Sequence, residues 1–336
     1  MKDYNDKSGL AYHWLEANIG RVLLVVLFAG LGLWGLLLEG RADLGLGRRL
    51  VRGMGPELAG IVIAAVTIDA LAERRQRQSR KAQLIRQLGS KYRDVTEMAL
   101  LELKHEGWLY DGSLRGVNLV GADLSGANLI DAHLSEINFW ETNLSEAFLI
   151  GANLAGACLV NSNLTNAIMR GANLSEANLE SANLAHVELD DANLTRARLW
   201  RPNLGWTYME RVNLSYARLE EADLIRASLR FANLEEANLS RSDLSHADLP
   251  RANLKGTILR DAKLAEAYLR DAKNWTVGQF RQARTVEGAI MPDGVQLRQE
   301  AAELRESITG PTFEEWVTQR LLTIVGLALS YQVVSF

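Results

Sequence analysis

Leucine recurs at every fifth position between Gly112 and Asp271, and this spacing is the dominant pattern of the chain. The series runs without an insertion from Leu114 to Leu269, and the position is Leu in 29 of its 32 units. Two positions earlier the residue is Ala in 21 units, and a polar residue usually stands between the two. The unit therefore consists of Ala, Asn or Asp, Leu, and two variable residues.

A period of five fits neither an α-helix nor a β-strand. Five residues advance an α-helix by about 500°, so successive leucines would spiral around it, and along a strand they would alternate between faces. All leucines share one interior only if the chain turns a corner in every unit, which predicts an all-β solenoid. The residues expected to fill that interior begin with Leu114, Leu119, Leu124, Leu129 and Leu134, with Phe139, Met169 and Met209 in place of leucine.

The polar position before each leucine indicates how many units make one coil. If every fourth unit stacks, these positions form four faces, which we number one to four from residues 113, 118, 123 and 128. Asn or Asp fills 13 of 16 places on faces one and three, but 6 of 16 on faces two and four. This contrast establishes a period of ten and weakly favours twenty residues per coil, hence eight coils. Stacked amides can hydrogen-bond along such a column, and eight coils at ~4.8 Å give a rod of about 38 Å.

These units resemble those of the pentapeptide-repeat proteins, in strict register over 160 of the 336 residues. The resemblance implies a right-handed, four-sided β-helix with the central Leu and the preceding small residue inside. It decides little about function, because one fold can carry many activities.

Two apolar segments precede the repeats. Residues 22–38 contain no charged side chain. The second segment, residues 58–68, is also uncharged but shorter. We expect transmembrane helices at about 21–38 and 57–72 after a cytoplasmic segment at 1–20, with a re-entrant or surface helix as the alternative for the second. Two such helices predict a multi-pass protein of the bacterial inner membrane, with the lipid bilayer as a partner. The basic cluster after the second segment predicts that the repeat domain lies in the cytoplasm.

The segments next to the repeats are predicted to cap them. Residues 73–111 predict a helical linker and an N-terminal cap, and the basic linker helix suits anionic lipid head groups better than nucleic acid. Residues 272–336 predict a C-terminal cap and a helical tail, with Thr276 as a helix N-cap and Trp275 and Phe280 plugging the last coil. The end of the tail, 321–336, carries no charge, and its role stays open.

No pattern in the chain indicates an active site. The single cysteine, Cys158, excludes an internal disulfide framework, and the histidines are scattered at positions 13, 105, 133, 186 and 246. We therefore expect no enzyme, no catalytic residue, no cofactor and no metal site. The formal net charge of −4 argues against nucleic acid as a partner.

The outer surface holds the candidate binding residues, because large apolar side chains occupy positions that should face water. Val120, Trp140 and Val160 recur at the same place in successive coils and predict a ladder on face two. A second set on face four comprises Ile130, Ile150, Phe148 and Ile168, and four aromatic residues are expected to cluster around coil five: Trp200, Trp206, Tyr208 and Tyr216. These sets suit a protein partner of unknown identity, or else a homo-oligomer.

Three functions are compatible with these features. The favoured one is a membrane-anchored scaffold that presents a rigid β-helical surface for protein–protein interaction. The second is a DNA-mimicking protector or inhibitor of DNA gyrase or another type II topoisomerase, a role of some pentapeptide-repeat proteins. The second needs an acidic rod, yet residues 112–191 carry net charge −8 and residues 192–271 carry +2. The third is an accessory protein of a membrane effector or transport system.

Overall fold

The computed structural model describes the backbone of residues 45–294 and the side chains of residues 67–294. Three helices occur in that part: α1 (Gly45–Leu88), α2 (Arg93–His105) and α3 (Val277–Arg281). The chain divides into two compact units between Arg80 and Lys81. The predicted segments at 1–20 and 21–38, and the C-terminal tail from residue 295, lie outside the described residues.

The first unit contributes helix α1 up to Arg80. The segment predicted as a second membrane helix, 57–72, lies inside this 44-residue helix, which continues past residue 72 and is interrupted neither by Gly55 nor by Pro56. No helix within residues 45–294 combines the length and apolar character needed to cross a bilayer. The prediction of a multi-pass membrane protein, with its inner-membrane location, is therefore wrong for this chain.

The second unit contains the solenoid, in which four five-residue units make one coil. From Asn118 to Lys273, single residues form parallel β-bridges with the residue 20 positions later, and four such positions occur in each coil. Leu119 N–H donates to the carbonyl oxygen of Asn138 in the next coil, and Asn138 N–H donates back to Val117. Each side of the coil is thus too short to form a continuous strand. The all-β solenoid predicted from the five-residue period is confirmed, with the four sides that the resemblance to pentapeptide-repeat proteins implies.

The corners of the coil use one backbone conformation throughout. Ala122 N–H donates to the carbonyl of Leu119 at 3.2 Å, which closes a four-residue turn. In every unit the second variable residue has positive φ, near 60°, as at the third position of a type II turn. Glycine fills only a minority of these positions, so most corners hold a side chain in a region that L-residues disfavour. The glycines among them are the sequence signal for this conformation.

The interior is a continuous stack of leucine and alanine. The expected core residues lie at 0–2% exposure: Leu114, Leu119, Leu124, Leu129, Leu134, Phe139, Met169 and Met209. The alanine that follows each corner is also buried along most of the rod, since a small side chain fits where the wall bends inward. Burying one leucine contributes roughly 1.5–3 kcal/mol of transfer free energy.

Both ends of this stack are covered. At the N-terminal end, Leu88 of α1 and Leu103 of α2 belong to the same core cluster as the first coils. Thr96 Oγ1 donates to the carbonyl of Asp123 at 2.6 Å, and Asp123 N–H donates to the carbonyl of Ser90. The backbone of the cap therefore takes the place that a preceding coil would occupy.

The C-terminal cap closes the rod with an altered coil. Lys263 bridges to Thr285, 22 positions later, because helix α3 is inserted in this coil. Gln279 Nε2 donates to the carbonyl oxygens of Leu254 and Thr257, at 2.7 and 2.9 Å. The ring of Phe280 is buried and meets Trp275 edge-on at 5.8 Å between centroids, so these two aromatic rings fill the end of the stack.

Candidate interaction faces of the solenoid

Faces one and three are built from asparagine ladders. Asn173 Nδ2 donates to Asn153 Oδ1 at 3.2 Å, and Asn193 continues the column at the same distance. The same oxygen of Asn153 also accepts the backbone N–H two positions later. Because the amides are committed within the column and the next residues are mostly small, faces one and three offer few side chains for recognition. The period of ten in the sequence reflects this pairing of opposite faces.

Face two carries an apolar column that begins in the first coil. Val120 and Trp140 are 45% and 43% exposed. Val160, the next member, is only 8% exposed, so its prediction as part of the binding surface is wrong: in the column it lies between the larger side chains of Trp140 and Glu180. Trp200 occupies the same column two coils further on, and its indole is 41% exposed.

Face four has a smaller apolar patch in the first three coils. Phe148 is exposed, whereas Ile130, Ile150 and Ile168 are each half-buried. The bridge from Phe148 to Ile168 places these two residues in adjacent coils. The ladder predicted here is present, but most of its apolar surface is covered.

The four aromatic residues around coil five do not form one cluster. All of them are exposed, but the coil register puts Trp200 at the corner after face two, Trp206 at the corner after face three, and Tyr216 at the corner after face one. Tyr208 lies on face four. The four rings therefore do not form the single cluster that was predicted, because they lie at three different corners and on one flat side of the twenty-residue coil.

Arginines accompany these aromatic residues instead. The guanidinium of Arg226 lies 4.5 Å from the ring centroid of Trp206, and His186, the preceding member of that column, stacks on the same indole at 6.3 Å between centroids. Arg201 lies 5.4 Å from the ring centroid of Trp200. Such cation–π contacts hold exposed rings in place.

Within the repeats at 112–271, two further large apolar residues are exposed, Phe231 and Ile258, and neither was among the candidates predicted from the sequence. Phe231 occupies a corner position, and Ile258 occupies the polar position of face two. Because both positions face water, an apolar residue at either one could have been recognised in the sequence as an exposed apolar side chain. Arg251 lies 5.5 Å from the ring centroid of Phe231, so this ring too is accompanied by an arginine.

A shallow cleft of about 240 Å³ opens on face two beside Trp200. Its lining combines one indole, three guanidinium groups, two carboxylates and a hydroxyl: Trp200, Arg218, Arg241, Arg260, Glu220, Glu221 and Ser240. The sequence pattern indicated only the indole, because the other side chains come together through the stacking of four coils.

Most of the charges in the cleft are paired within the chain. Glu220 Oε1 accepts from Nε and Nη2 of Arg218, both at 3.1 Å, and from Asn238 Nδ2 at 3.0 Å. Glu221 lies between Arg201 and Arg241, at 3.6 and 3.5 Å. Glu220 Oε2 is buried without a hydrogen-bond partner in the described residues.

Arg260, at the far end of the cleft, is exposed. No hydrogen bond or ion pair engages its guanidinium within residues 67–294. Among the described residues, Arg260 is therefore the guanidinium of the cleft that has no carboxylate partner, and the exposed indole of Trp200 lies in the same lining.

The described residues assemble no recognisable catalytic chemistry. No group of three His, Cys, Asp or Glu side chains within residues 67–294 is arranged to hold a metal ion. His246 pairs with Glu266 at 3.2 Å on an exposed corner, and His186 is stacked on Trp206. Cys158 is partly buried on face two.

The repeat region is similar in sequence to a known family and to solved structures. Eight copies of the sequence model for pentapeptide repeats match residues 111–139, 132–171, 172–201, 203–241 and 237–273. HetL from the cyanobacterium Nostoc sp. strain PCC 7120, a pentapeptide-repeat protein involved in heterocyst differentiation regulation, is 30% identical. The match covers 59% of this chain and 98% of HetL, with a TM-score of 0.30. This chain belongs to the pentapeptide-repeat family.

Two further structures are similar to it. Rfr23 from the cyanobacterium Cyanothece 51142 is 37% identical over 29% of this chain and 61% of its own, with a TM-score of 0.25. QnrB1, a plasmid-mediated fluoroquinolone resistance protein, is 18% identical over 59% of this chain and 91% of its own, with a TM-score of 0.28. The comparison with curated proteins found no match. Membership of the family implies a right-handed β-helix, and the matched family indicates no particular catalytic activity and no particular partner.

Proposed function

We propose that this pentapeptide-repeat protein is a non-catalytic scaffold that binds a protein partner through face two. The observation that carries this proposal is the column of Val120, Trp140 and Trp200, three exposed apolar side chains on one side of a rigid rod. Faces one and three are occupied by asparagine ladders, and the apolar patch of face four is mostly covered.

The geometry of face two suits an interface. Val120 and Trp200 are four coils apart, which corresponds to about 19 Å along the rod. Tryptophan is enriched among the residues that dominate binding energy at interfaces, because its large rigid ring buries much area for little entropy. The backbone that carries these side chains is hydrogen-bonded to the coils on both sides, so little ordering is needed on binding.

Substitution of Trp140 tests the proposal. The full chain carrying Trp140→Glu is compared with wild type in an affinity capture, and the proteins retained by each bait are quantified. Trp206→Glu is the matched control, since it removes a similarly exposed tryptophan from a different corner. We expect Trp140→Glu to lose a partner that Trp206→Glu retains. Equal retention by all three baits contradicts the proposal.

The DNA-mimicking alternative has one supporting observation, the net charge of −8 in coils one to four. Coils five to eight carry net charge +2, so an extended anionic surface covers only half of the rod. Inhibition of DNA gyrase supercoiling by the full chain would favour this alternative over the scaffold. The third function considered, an accessory protein of a membrane effector, depended on two spanning helices and has no support in the described residues.

A further inference from the structure

We propose that the cleft beside Trp200 binds an acidic segment of the partner protein, with an apolar side chain on the indole and a carboxylate on Arg260. This inference rests on the proposed function, because it specifies the chemistry of the partner on the same face. The cleft supplies what such a segment needs: an exposed ring at one end and, at the other, a guanidinium that no side chain within residues 67–294 engages.

The charges of the cleft define where a carboxylate is accepted. Arg218 is neutralised by Glu220, and Arg241 shares Glu221 with Arg201. Arg260 has no such partner within the described residues. Its guanidinium offers up to five N–H donors in a planar fork, which matches the two oxygens of a carboxylate.

The spacing within the column sets the length of the segment. Trp200, Glu220, Ser240 and Arg260 are consecutive members of the column, so the outer two are three coil spacings, about 14 Å, apart. An extended peptide spans about 3.3 Å per residue. Residues four positions apart therefore cover this distance, and they project from the same side of an extended chain. A leucine and a glutamate with three residues between them fit the two ends of the cleft.

A polyanion such as single-stranded DNA is disfavoured by the same cleft. Glu220 lies between the indole and Arg260 in the column, and Glu221 lies beside it in the lining of the cleft. Both carboxylates repel successive phosphates that would follow the groove. A peptide brings its single negative charge to Arg260, two coils or about 10 Å from Glu220.

Fluorescence anisotropy with the full chain tests this inference. The probe is a labelled nine-residue peptide of Gly and Ser with leucine at its third position and glutamate at its seventh. Its twin carries glutamine at the seventh position. We expect the glutamate peptide to bind wild type about tenfold more tightly than its twin. Arg260→Ala should abolish that preference, and Trp200→Ala should weaken both peptides.

Arg270→Ala is the matched control, because Arg270 is likewise an exposed arginine, on the corner after face four. It should leave the preference unchanged. Equal binding of the two peptides by wild type, or the same loss with Arg270→Ala, overturns the inference. So does a labelled oligo-dT that binds more tightly than the glutamate peptide and depends on Arg260. If the peptides show no preference while capture still depends on Trp140, the acidic segment is refuted and the scaffold stands.

Discussion

Asn233 donates a hydrogen bond from Nδ2 to Oδ1 of Asn213, 20 positions earlier and one coil away, at 3.2 Å. Asn233 Oδ1 in turn accepts from Asn253 Nδ2 at 2.9 Å and from the backbone N–H of Glu235 at 3.2 Å. One side chain thus ties three coils together and also fixes its own corner. This double use explains why asparagine recurs on faces one and three.

Asn233→Ala should therefore destabilise the solenoid. The change removes the acceptor of Asn253 Nδ2 and of the Glu235 N–H, and one of the two donors to Asn213 Oδ1. We therefore expect a loss of about 1–3 kcal/mol in the free energy of unfolding. Urea denaturation followed by circular dichroism measures it. Ser228→Ala, at the polar position of face four in the adjacent coil, is the control and should cost well under half as much. Equal losses would mean that the ladder contributes nothing specific.

The leucine interior should tolerate changes of shape better than loss of volume. Leu174 is fully buried in the middle of the rod, and Leu174→Ala should cost about 2–5 kcal/mol because it leaves a cavity between stacked coils. Met169→Leu restores the residue that most units carry and should cost less than about 1.5 kcal/mol. Thermal unfolding of both variants gives the comparison, and similar melting temperatures would argue against a close-packed interior.

Substitution of a corner glycine should reveal the free-energy cost of holding a side chain at positive φ. Gly171 has φ of 65° and no atom within 4 Å of the position that a Cβ would take. Gly171→Ala therefore meets only the backbone cost of the left-handed region, about 1–2 kcal/mol. Gly171→Asn should cost less, because asparagine enters this region more readily than alanine. A larger loss for Asn than for Ala in urea unfolding would contradict this explanation of the corners.

Acid should weaken the column on face three. Burial by itself would raise the pKa of Asp243, but hydrogen bonds from Lys263 and Ser245 outweigh it and lower the pKa below its usual value of 3.8. A carboxyl whose pKa is lower in the folded state stabilises the fold above the unfolded pKa, and that contribution is lost as the pH falls below about 4. Asp243→Asn should reduce the fall in unfolding free energy between pH 6 and pH 3.

Asp261→Asn, which changes an exposed acid in the neighbouring coil, is the control for this measurement. It should leave the pH dependence close to that of wild type. If Asp243→Asn also leaves it unaltered, the Lys263 contact at 2.8 Å does not contribute to stability.

The sequence alone determined the solenoid, its core and its asparagine faces. A leucine at every fifth residue can stay inside only if the chain bends in each unit, so the positions from Leu114 to Leu269 specify the interior without further information. The helix start at Thr276 could also be predicted, and helix α3 begins at the next residue, Val277.

Tertiary structure decided which surface residues meet and which are covered. Val160 is buried and Trp140 exposed at equivalent positions, because exposure depends on the size of the side chains one coil away. The cleft between Trp200 and Arg260 arises from residues 20, 40 and 60 positions apart whose long side chains share one groove. Those contacts depend on the direction and the size of each side chain in the stacked coils, which the repeat pattern of the sequence does not specify.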